Sequence, residues 1–207
     1  GVGSARGHGG SAEEGEAIPG HGALRCVAGL GYANGVMAEV AYCLAVEGLA
    51  GVSLPDRAVW LRTLASEIAR ISDHFSRLTA VSASIGLRSA ENVSQQGESS
   101  ATRLLNALTG GVFTGWVRLG GVASCLPEEF EALWGIAQGE IEATLARFDA
   151  AGSSNPSCQK RLRGVAVLSS EDCIAWGVTG PSIRAAGTSR DIRRETPYLA
   201  YGSIDFD

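Results

Sequence analysis

The feature that most constrains this chain is a long amphipathic pattern over residues 55–85. Apolar side chains recur there every three or four residues, and they are Leu61, Leu64, Ala65, Ile68, Ile71, Phe75 and Leu78. This is the period of one helix face. Ser53 suits the N-cap and Pro55 the first turn, while Asp73 and Arg77 are spaced to pair one turn apart. The pattern predicts a helix of about eight turns, which needs apolar partners along its length.

Two more segments show the helical period. The first covers residues 34–48 and ends at Gly48. The second covers residues 130–148 and follows Pro127-Glu128-Glu129, whose acidic side chains are favourable at the positive N-terminal end of a helix dipole. A shorter helix is predicted over residues 101–108. These segments predict a mainly α fold, a bundle of three to four main helices.

The rest of the chain is less regular. The polar residues 88–100 favour a loop or a frayed helix, and residues 151–160 a linker. Residues 162–168 resemble a short strand, and Ser169 suits the cap of a short helix through Trp176. The remainder predicts a loop-rich C-terminal segment.

The first residues differ in composition from the rest. Residues 1–22 contain eight glycines and almost nothing apolar. Glycine has more freedom to lose on folding than any other residue, so such a stretch resists ordering. We therefore predict a flexible arm over residues 1–29 and a helical domain over residues 30–207.

Composition excludes several classes of protein. The hydrophobic fraction of 45% is enough for a core, which excludes a wholly disordered chain. A net charge of -5 argues against a nucleic-acid backbone as the main ligand. Glu39 and Glu47 interrupt the best apolar run, Val36 to Leu49, which falls short of the ~18–20 residues of a membrane span. Any membrane association is expected to come through a partner.

The sequence shows no familiar catalytic or metal-binding motif. Nucleotide-binding glycine loops, the zinc-protease motif and the nucleophile elbow are absent. None of the cysteines forms a C-x-x-C pair, which predicts free thiols and no bound metal; they are Cys26, Cys43, Cys125, Cys158 and Cys173. His74 is expected to be structural or on the surface.

The C-terminal segment contains a cluster of arginines and acids. Arg184, Arg190, Arg193 and Arg194 accompany Asp191 and Glu195. They predict either an ion-paired loop anchor or a surface for an anionic group or partner chain.

Longer motifs carry a resemblance to a known family. Residues 31–78 match the order of D-Y-x-x-x-M-x-N-E-x-A-Y-x-L-A-V-E, then P-x-R-A-x-x-x-R, then E-x-x-R-x-x-x-H. Arg118-Leu119-Gly120-Gly121-Val122 is similar to R-P-G-G-V, and a late block runs from Gly164 to Asp207. Together these motifs resemble the quinone-site large subunit of respiratory complex I, the proton-pumping NADH:quinone oxidoreductase. The large subunits of membrane-bound nickel–iron hydrogenases share its fold, but this chain lacks the cysteine pairs that hold nickel.

The resemblance implies a role for several residues. Tyr32 falls on the family tyrosine that hydrogen-bonds the quinone headgroup, and His21 fits the H-G-x-L-R histidine that does the same. Arg118, Gly120, Gly121, Arg184, Asp191 and Arg193 are expected to be structural or to line the site. The chain is expected to bind no cofactor or metal, with ubiquinone as substrate and a 4Fe-4S cluster in the adjacent subunit.

Several positions depart from the family pattern. Ser84 stands where the family has the aspartate that partners the quinone histidine, and Val112 to Gly115 replace its histidine near the cluster. Cys125 replaces another aspartate, and the family's N-terminal β-sheet is largely missing. These departures imply a truncated or split form of the subunit, or a non-catalytic scaffold paralogue.

The resemblance also implies partners and a location. The expected partners are other complex I subunits, including the neighbour that carries the cluster and a companion chain that carries the missing segments. We expect stable folding to require them. The expected location is peripheral to the mitochondrial inner membrane on its matrix side, with the cytoplasmic face of a bacterial membrane as the alternative.

Overall fold

The computed structural model describes residues 18, 21–30, 35–111 and 115–206. These residues fall into two units that divide after Asn155, and each unit is described by itself.

Five helices and one hairpin make up the first unit. The helices are α1 (His21–Leu30), α2 (Gly35–Ala50), α3 (Asp56–Ser84), α4 (Arg88–Thr109) and α5 (Phe130–Phe148), the last followed by a π-helical turn, Asp149–Ser153. The hairpin pairs β1 (Val117–Arg118) with β2 (Gly121–Val122) in antiparallel register. The mainly α prediction is confirmed, and within the described residues this hairpin is the only sheet.

Helices α3, α4 and α5 pack as successive antiparallel neighbours. Ser72 and Thr102 share a hydrogen bond of 2.9 Å between α3 and α4. Between α4 and α5, Ser100 donates to Glu140 at 2.6 Å and Arg147 donates to Gln96 at 2.7 Å. The buried faces of α3 and α4 supply most of the core, and α2 packs on α3 while α1 packs on α2.

Residues 88–100 are helical, so the predicted loop or frayed helix there is wrong. The buried face of α4 begins with mostly small residues: Ala90, Ser94, Gly97 and Ala101 are buried, with Val93 as a larger one. Small side chains carry a weak hydrophobic signal, yet they let two helices approach closely. The Ser94 hydroxyl donates within the helix to the Ala90 carbonyl at 2.9 Å, which satisfies it without an outside partner.

Other local predictions need correction. α1 covers residues 21–29, where the sequence predicts the end of a flexible arm; residues 1–17, 19 and 20 lie outside the described part. Pro55, and not Ser53, is the N-cap of α3. No strand forms over residues 162–168.

The second unit, Pro156–Asp207, is built of short helices. They are α6 (Pro156–Leu162), α7 (Ser170–Ala175), α8 (Pro181–Ala185), α9 (Ile192–Glu195) and a 3₁₀ turn, Tyr201–Ser203. α6 replaces part of the predicted linker. Ser169 caps α7 as predicted, because its hydroxyl accepts from the Asp172 amide at 3.0 Å and the Asp172 carboxylate accepts in return. Loops join these helices, as the loop-rich prediction requires.

Candidate functional site

The β1–β2 hairpin is held by side chains of α2 and α3. Its turn contains Gly120, which has a φ of +79° that favours glycine. Backbone groups from Gly115 to Gly121 bond to three charged side chains, Glu39, Glu47 and Arg62. All three are buried, with exposures of 1%, 3% and 0%. We call residues 115–122 together with these three side chains the hairpin clamp.

Arg62 connects α3 to both α2 and the hairpin. Its guanidinium donates to the two Glu47 carboxylate oxygens at 2.9 and 2.6 Å. It also donates to the Arg118 carbonyl at 2.6 Å and to the Gly121 carbonyl at 3.0 Å. The planar guanidinium presents several N–H donors at fixed angles, so it can bond to these carboxylate and carbonyl oxygens at the same time. Arg62 is thus a charged residue on the buried face of α3.

Glu47 completes the turn end of the clamp. Its Oε1 accepts a hydrogen bond from the Gly120 amide at 2.8 Å. Burial alone raises the pKa of this carboxyl, but the Arg62 guanidinium and the Gly120 amide outweigh burial and hold the pKa below its usual value. Glu47 is therefore ionised at neutral pH.

Glu39 lies two turns earlier on the same face of α2. Its carboxylate accepts from the Gly115 amide at 3.0 Å and, weakly, from the Val117 amide at 3.4 Å. Burial raises the pKa of Glu39, and these amides and the Arg118 charge only partly oppose it. Between the two acids lies Cys43, fully buried, and burial raises its pKa to about 11. The clamp thus has one paired carboxylate and one without an ion-pair partner in the described residues.

The structure brings three of the predicted site residues together. Arg118, Gly120 and Gly121 all belong to the hairpin, and each bonds through its backbone to the side chain of Arg62 or Glu47. The Arg118 side chain itself is exposed. His21 is the first residue of α1, and nothing of its side chain is described; Tyr32 lies outside the described residues. The quinone-headgroup assignments of these two residues remain predictions.

The other three predicted residues meet in the second unit. Asp191 accepts from the Arg193 guanidinium at 3.1 and 2.7 Å and lies 3.5 Å from Arg184. The Arg193 hydrogen bonds hold the pKa of Asp191 well below its usual range. Arg193 also stacks over the ring of Phe206, 4.5 Å from its centroid. The cluster has the geometry of the ion-paired anchor that the sequence offered as one alternative.

Sequence reasoning missed Glu39, Glu47 and Arg62 as a group. All three fall inside the quoted motifs, and the two acids stand eight residues apart on an otherwise apolar helix. That spacing puts both acids on one face of the helix, and this was the sequence signal that could have identified them. Their partners in the hairpin lie 56 to 78 positions away in the chain, and no local pattern indicates such pairing.

A groove lies between α4 and α5, away from the clamp. Its volume is about 720 Å³, and polar side chains line it. Arg103 and Glu140 form an ion pair there, and Ser100 and Arg103 both donate to the Glu140 carboxylate. The charged groups therefore join the two helices.

Among the described residues, the potential metal ligands are dispersed. All five cysteines are free thiols. Across the described ranges, no three His, Cys, Asp or Glu side chains come together as a metal site. None of the described helices has the length and hydropathy needed to cross a membrane.

Comparison with known proteins gives a consistent result. Residues 93–207, more than half of the chain, match the family model described as "Respiratory-chain NADH dehydrogenase, 49 Kd subunit". The chain is 37% identical over 179 residues to the D 1 subunit of NADH-quinone oxidoreductase from Chloroherpeton thalassium, covering 86% of this chain and 41% of that protein. It is 31% identical over 201 residues to the C/D subunit of NADH-quinone oxidoreductase from Blochmanniella pennsylvanica, and this match covers 97% of this chain and 34% of that protein.

These relatives are longer than this chain, which spans between a third and about two fifths of their length. The matched residues 93–207 nevertheless include the hairpin and the whole second unit. The chain therefore belongs to the family of the 49 kDa subunit of respiratory-chain NADH dehydrogenase.

Proposed function

We propose that this chain is part of a core subunit of an NADH:quinone oxidoreductase and helps to form its quinone-reduction site. The site lies beside the 4Fe-4S cluster of a neighbouring subunit, and the chain acts only within the assembled complex. It holds no cofactor of its own, and ubiquinone is the substrate.

One observation carries the proposal. The R-P-G-G-V-like segment, which lies in the matched residues 93–207, is a rigidly held hairpin and not a free loop. Arg62 and Glu47 fix its carbonyls and its Gly120 amide from inside the protein. A scaffold that fixes backbone this firmly is suited to hold site-lining residues in one geometry.

Tyr32 supplies the direct contact with quinone in this proposal. A phenol combines an apolar ring with one hydrogen-bond donor, which suits a dry pocket for a neutral redox ring. Loss of one such hydrogen bond costs roughly 0.5–1.5 kcal/mol, or about 2- to 12-fold in quinone turnover.

The test is Tyr32→Phe in the assembled complex. Quinone reduction is expected to fall within that range, while NADH oxidation by an artificial acceptor that takes electrons from the clusters stays unchanged. Tyr42→Phe on α2 is the matched control and is expected to alter neither rate. Unchanged quinone turnover in the Tyr32 variant contradicts the assignment.

A second candidate is a scaffold subunit with the same fold and no quinone chemistry. Ser84 favours it, because the family aspartate is missing there and the Ser84 hydroxyl donates only to the Ala80 carbonyl of its own helix at 2.8 Å. In this case, complexes that contain the chain assemble, and Tyr32→Phe leaves their quinone turnover unchanged.

The partners and location follow from the same proposal. The cluster-bearing subunit is the neighbour we expect at the hairpin, and cross-linking within the intact complex tests this. The chain is placed peripherally at the membrane, at the matrix side of the mitochondrial inner membrane or the cytoplasmic face of a bacterial one. Bacterial relatives predominate, which supports the second placement.

A further inference from the structure

We propose that the groove between α4 and α5 is a docking site for a helix of a partner chain. This helix presents a large apolar side chain at one end of the groove and carboxylates along the rest of it. The proposal names the chemistry of a partner and its place on this chain. It rests on the proposed function only in taking the chain to act within an assembled complex, and it does not depend on the quinone chemistry.

Helix α5 is covered along a narrow line only. Its buried residues are Phe130, Ala137 and Thr144, which recur at every seventh position. A helix packed into a finished core buries a stripe about 100° wide, with about three or four apolar residues in every two turns. Leu133 and Ile136 lie beside this line on the groove side, and they remain 40% and 60% exposed. The groove side of α5 therefore has the apolar residues of a packed helix face, yet the described part of the chain leaves it largely uncovered.

The groove has an apolar end and a polar length. A pocket of about 230 Å³ forms the apolar end, and its apolar lining comes from both helices: Leu104, Leu133, Ile136 and Ala137. Ser100 and Arg103 line both this pocket and the polar part, so the two parts are continuous. From Leu133 to Arg147 the groove follows α5 for about four helical turns, or roughly 21 Å. This length suits a helical segment.

The polar part carries an excess of positive charge. Its charged lining residues are two arginines, Arg103 and Arg147, and one acid, Glu140. Glu140 already accepts hydrogen bonds from Ser100 at 2.6 Å and from Arg103. Arg147 donates to the neutral Gln96 side chain at 2.7 Å, and no acid of the described residues pairs with it. A positive groove on a chain of net charge -5 favours a partner that brings carboxylates.

An acidic amphipathic helix satisfies both parts of the groove. An apolar stripe on a helix is the usual occupant of a groove between helices, and its large side chains enter pockets such as the one beside Ile136. Carboxylates on its flank then lie near Arg103 and Arg147. A small anion would leave the apolar pocket empty, and an acyl chain would leave the arginine charges without partners. A two-fold pairing of this face with a second copy would set one positive groove against another.

Photo-cross-linking in the assembled complex tests the proposal. The photoreactive residue benzoylphenylalanine replaces Ser99, an exposed position in the groove, and mass spectrometry identifies the captured peptide. We expect a peptide of another chain, with apolar residues at helical spacing and acidic residues beside them. The same probe at the exposed Glu142, on the other side of α5, should not capture that peptide. Absence of a cross-link, a cross-link to this chain or a second copy of it, or a peptide without acidic residues overturns the proposal.

Two changes at Arg147 separate its charge from a structural role. Arg147→Glu replaces attraction by repulsion and is expected to weaken the contact by about 3- to 30-fold, read as cross-link yield in complexes diluted to partial dissociation. Arg147→Lys also disturbs the bond to Gln96 but keeps the charge, so it should retain most of the yield. Arg57→Glu, the same charge reversal at an exposed site in the first turn of α3, is the matched control and should leave the yield unchanged.

Equal losses in Arg147→Glu and Arg147→Lys overturn the proposed role of charge. The cross-link yield does not depend on quinone turnover. Failure of the docking proposal is therefore distinct from failure of the proposed function, which the turnover of the Tyr32→Phe complex reports.

Discussion

Arg62 and Glu47 form a two-pronged ion pair in the interior, with N–O distances of 2.9 and 2.6 Å and almost no exposure on either side chain. The pair lies between α2 and α3, and the hydrogen-bonding groups left over on both side chains bond to the hairpin backbone. Such a pair is expensive to desolvate, so its contribution depends on every partner being present.

We expect Glu47→Gln to destabilise the first unit by roughly 3–5 kcal/mol, because it leaves the Arg62 charge buried without its counterion. Pulse proteolysis of the assembled complex in urea measures the loss. The double variant Glu47→Gln with Arg62→Met should recover a large part of it, since no buried charge remains. Equal losses in the single and double variants would contradict a role for charge.

Gly97 lies where α3 and α4 approach each other closely. A Cβ at this position would lie 2.5 Å from the ring of Phe75, which is itself buried. Gly97→Ala is therefore expected to cost about 1–3 kcal/mol through overpacking. Gly139→Ala on α5 is the control, because a Cβ there meets nothing within 4 Å; it should stabilise the helix by about 0.5–1 kcal/mol. Urea midpoints for the two variants that shift in the same direction would refute the packing argument.

Asp191→Asn should weaken the second unit by roughly 1–3 kcal/mol, since Arg193 and Arg184 lose the negative charge that they share and one of its two acceptor oxygens. Limited proteolysis of residues 156–207 is the measurement. Glu195→Gln, which removes the exposed pair with Arg190, is the control and should cost less than about 1 kcal/mol.

The same carboxylate sets a pH limit. Because the pKa of Asp191 is lowered in the folded state, its stabilisation is present above the unfolded pKa of about 4 and is lost as pH falls through the folded value. Between about pH 5 and 8, Asp191 stays ionised, so it should contribute no pH dependence to the proteolysis rate of the wild-type second unit. In that range, a strong dependence that Asp191→Asn abolishes would contradict the lowered pKa.

Thiol labelling should separate Cys43 from Cys125. Cys43 is fully buried with a pKa of about 11, and Cys125 is exposed in the loop after the hairpin. At about pH 8, only roughly one Cys43 thiol in a thousand is ionised, so this site should resist alkylation until the protein unfolds. Cys125→Ser should abolish the fast labelling. Equal rates at both cysteines in the native protein would show that Cys43 is not buried as described.

Much of the fold is predictable from the sequence because large apolar side chains report helices directly. α2, α3 and α5 follow from the period of such residues, and α7 follows from the Ser169 cap. The first half of α4 does not, because its buried face there is mostly Ala, Ser and Gly, whose burial depends on how closely α3 approaches. The strand-like residues 162–168 pair with no strand in the described part of the chain, and an isolated apolar run has no ladder to join.

The candidate site divides in the same way. The sequence alone determined the family and the helical framework, because long ordered motifs survive in the printed residues, and it predicted that Arg118, Gly120 and Gly121 are structural or line the site. The tertiary structure alone decided that Glu39, Glu47 and Arg62 are buried and that they hold the hairpin. The physical reason is that a charged residue is expected at the surface unless partners satisfy it in the interior. Such a partner can be distant in sequence: Arg62 and Gly121 are 59 residues apart.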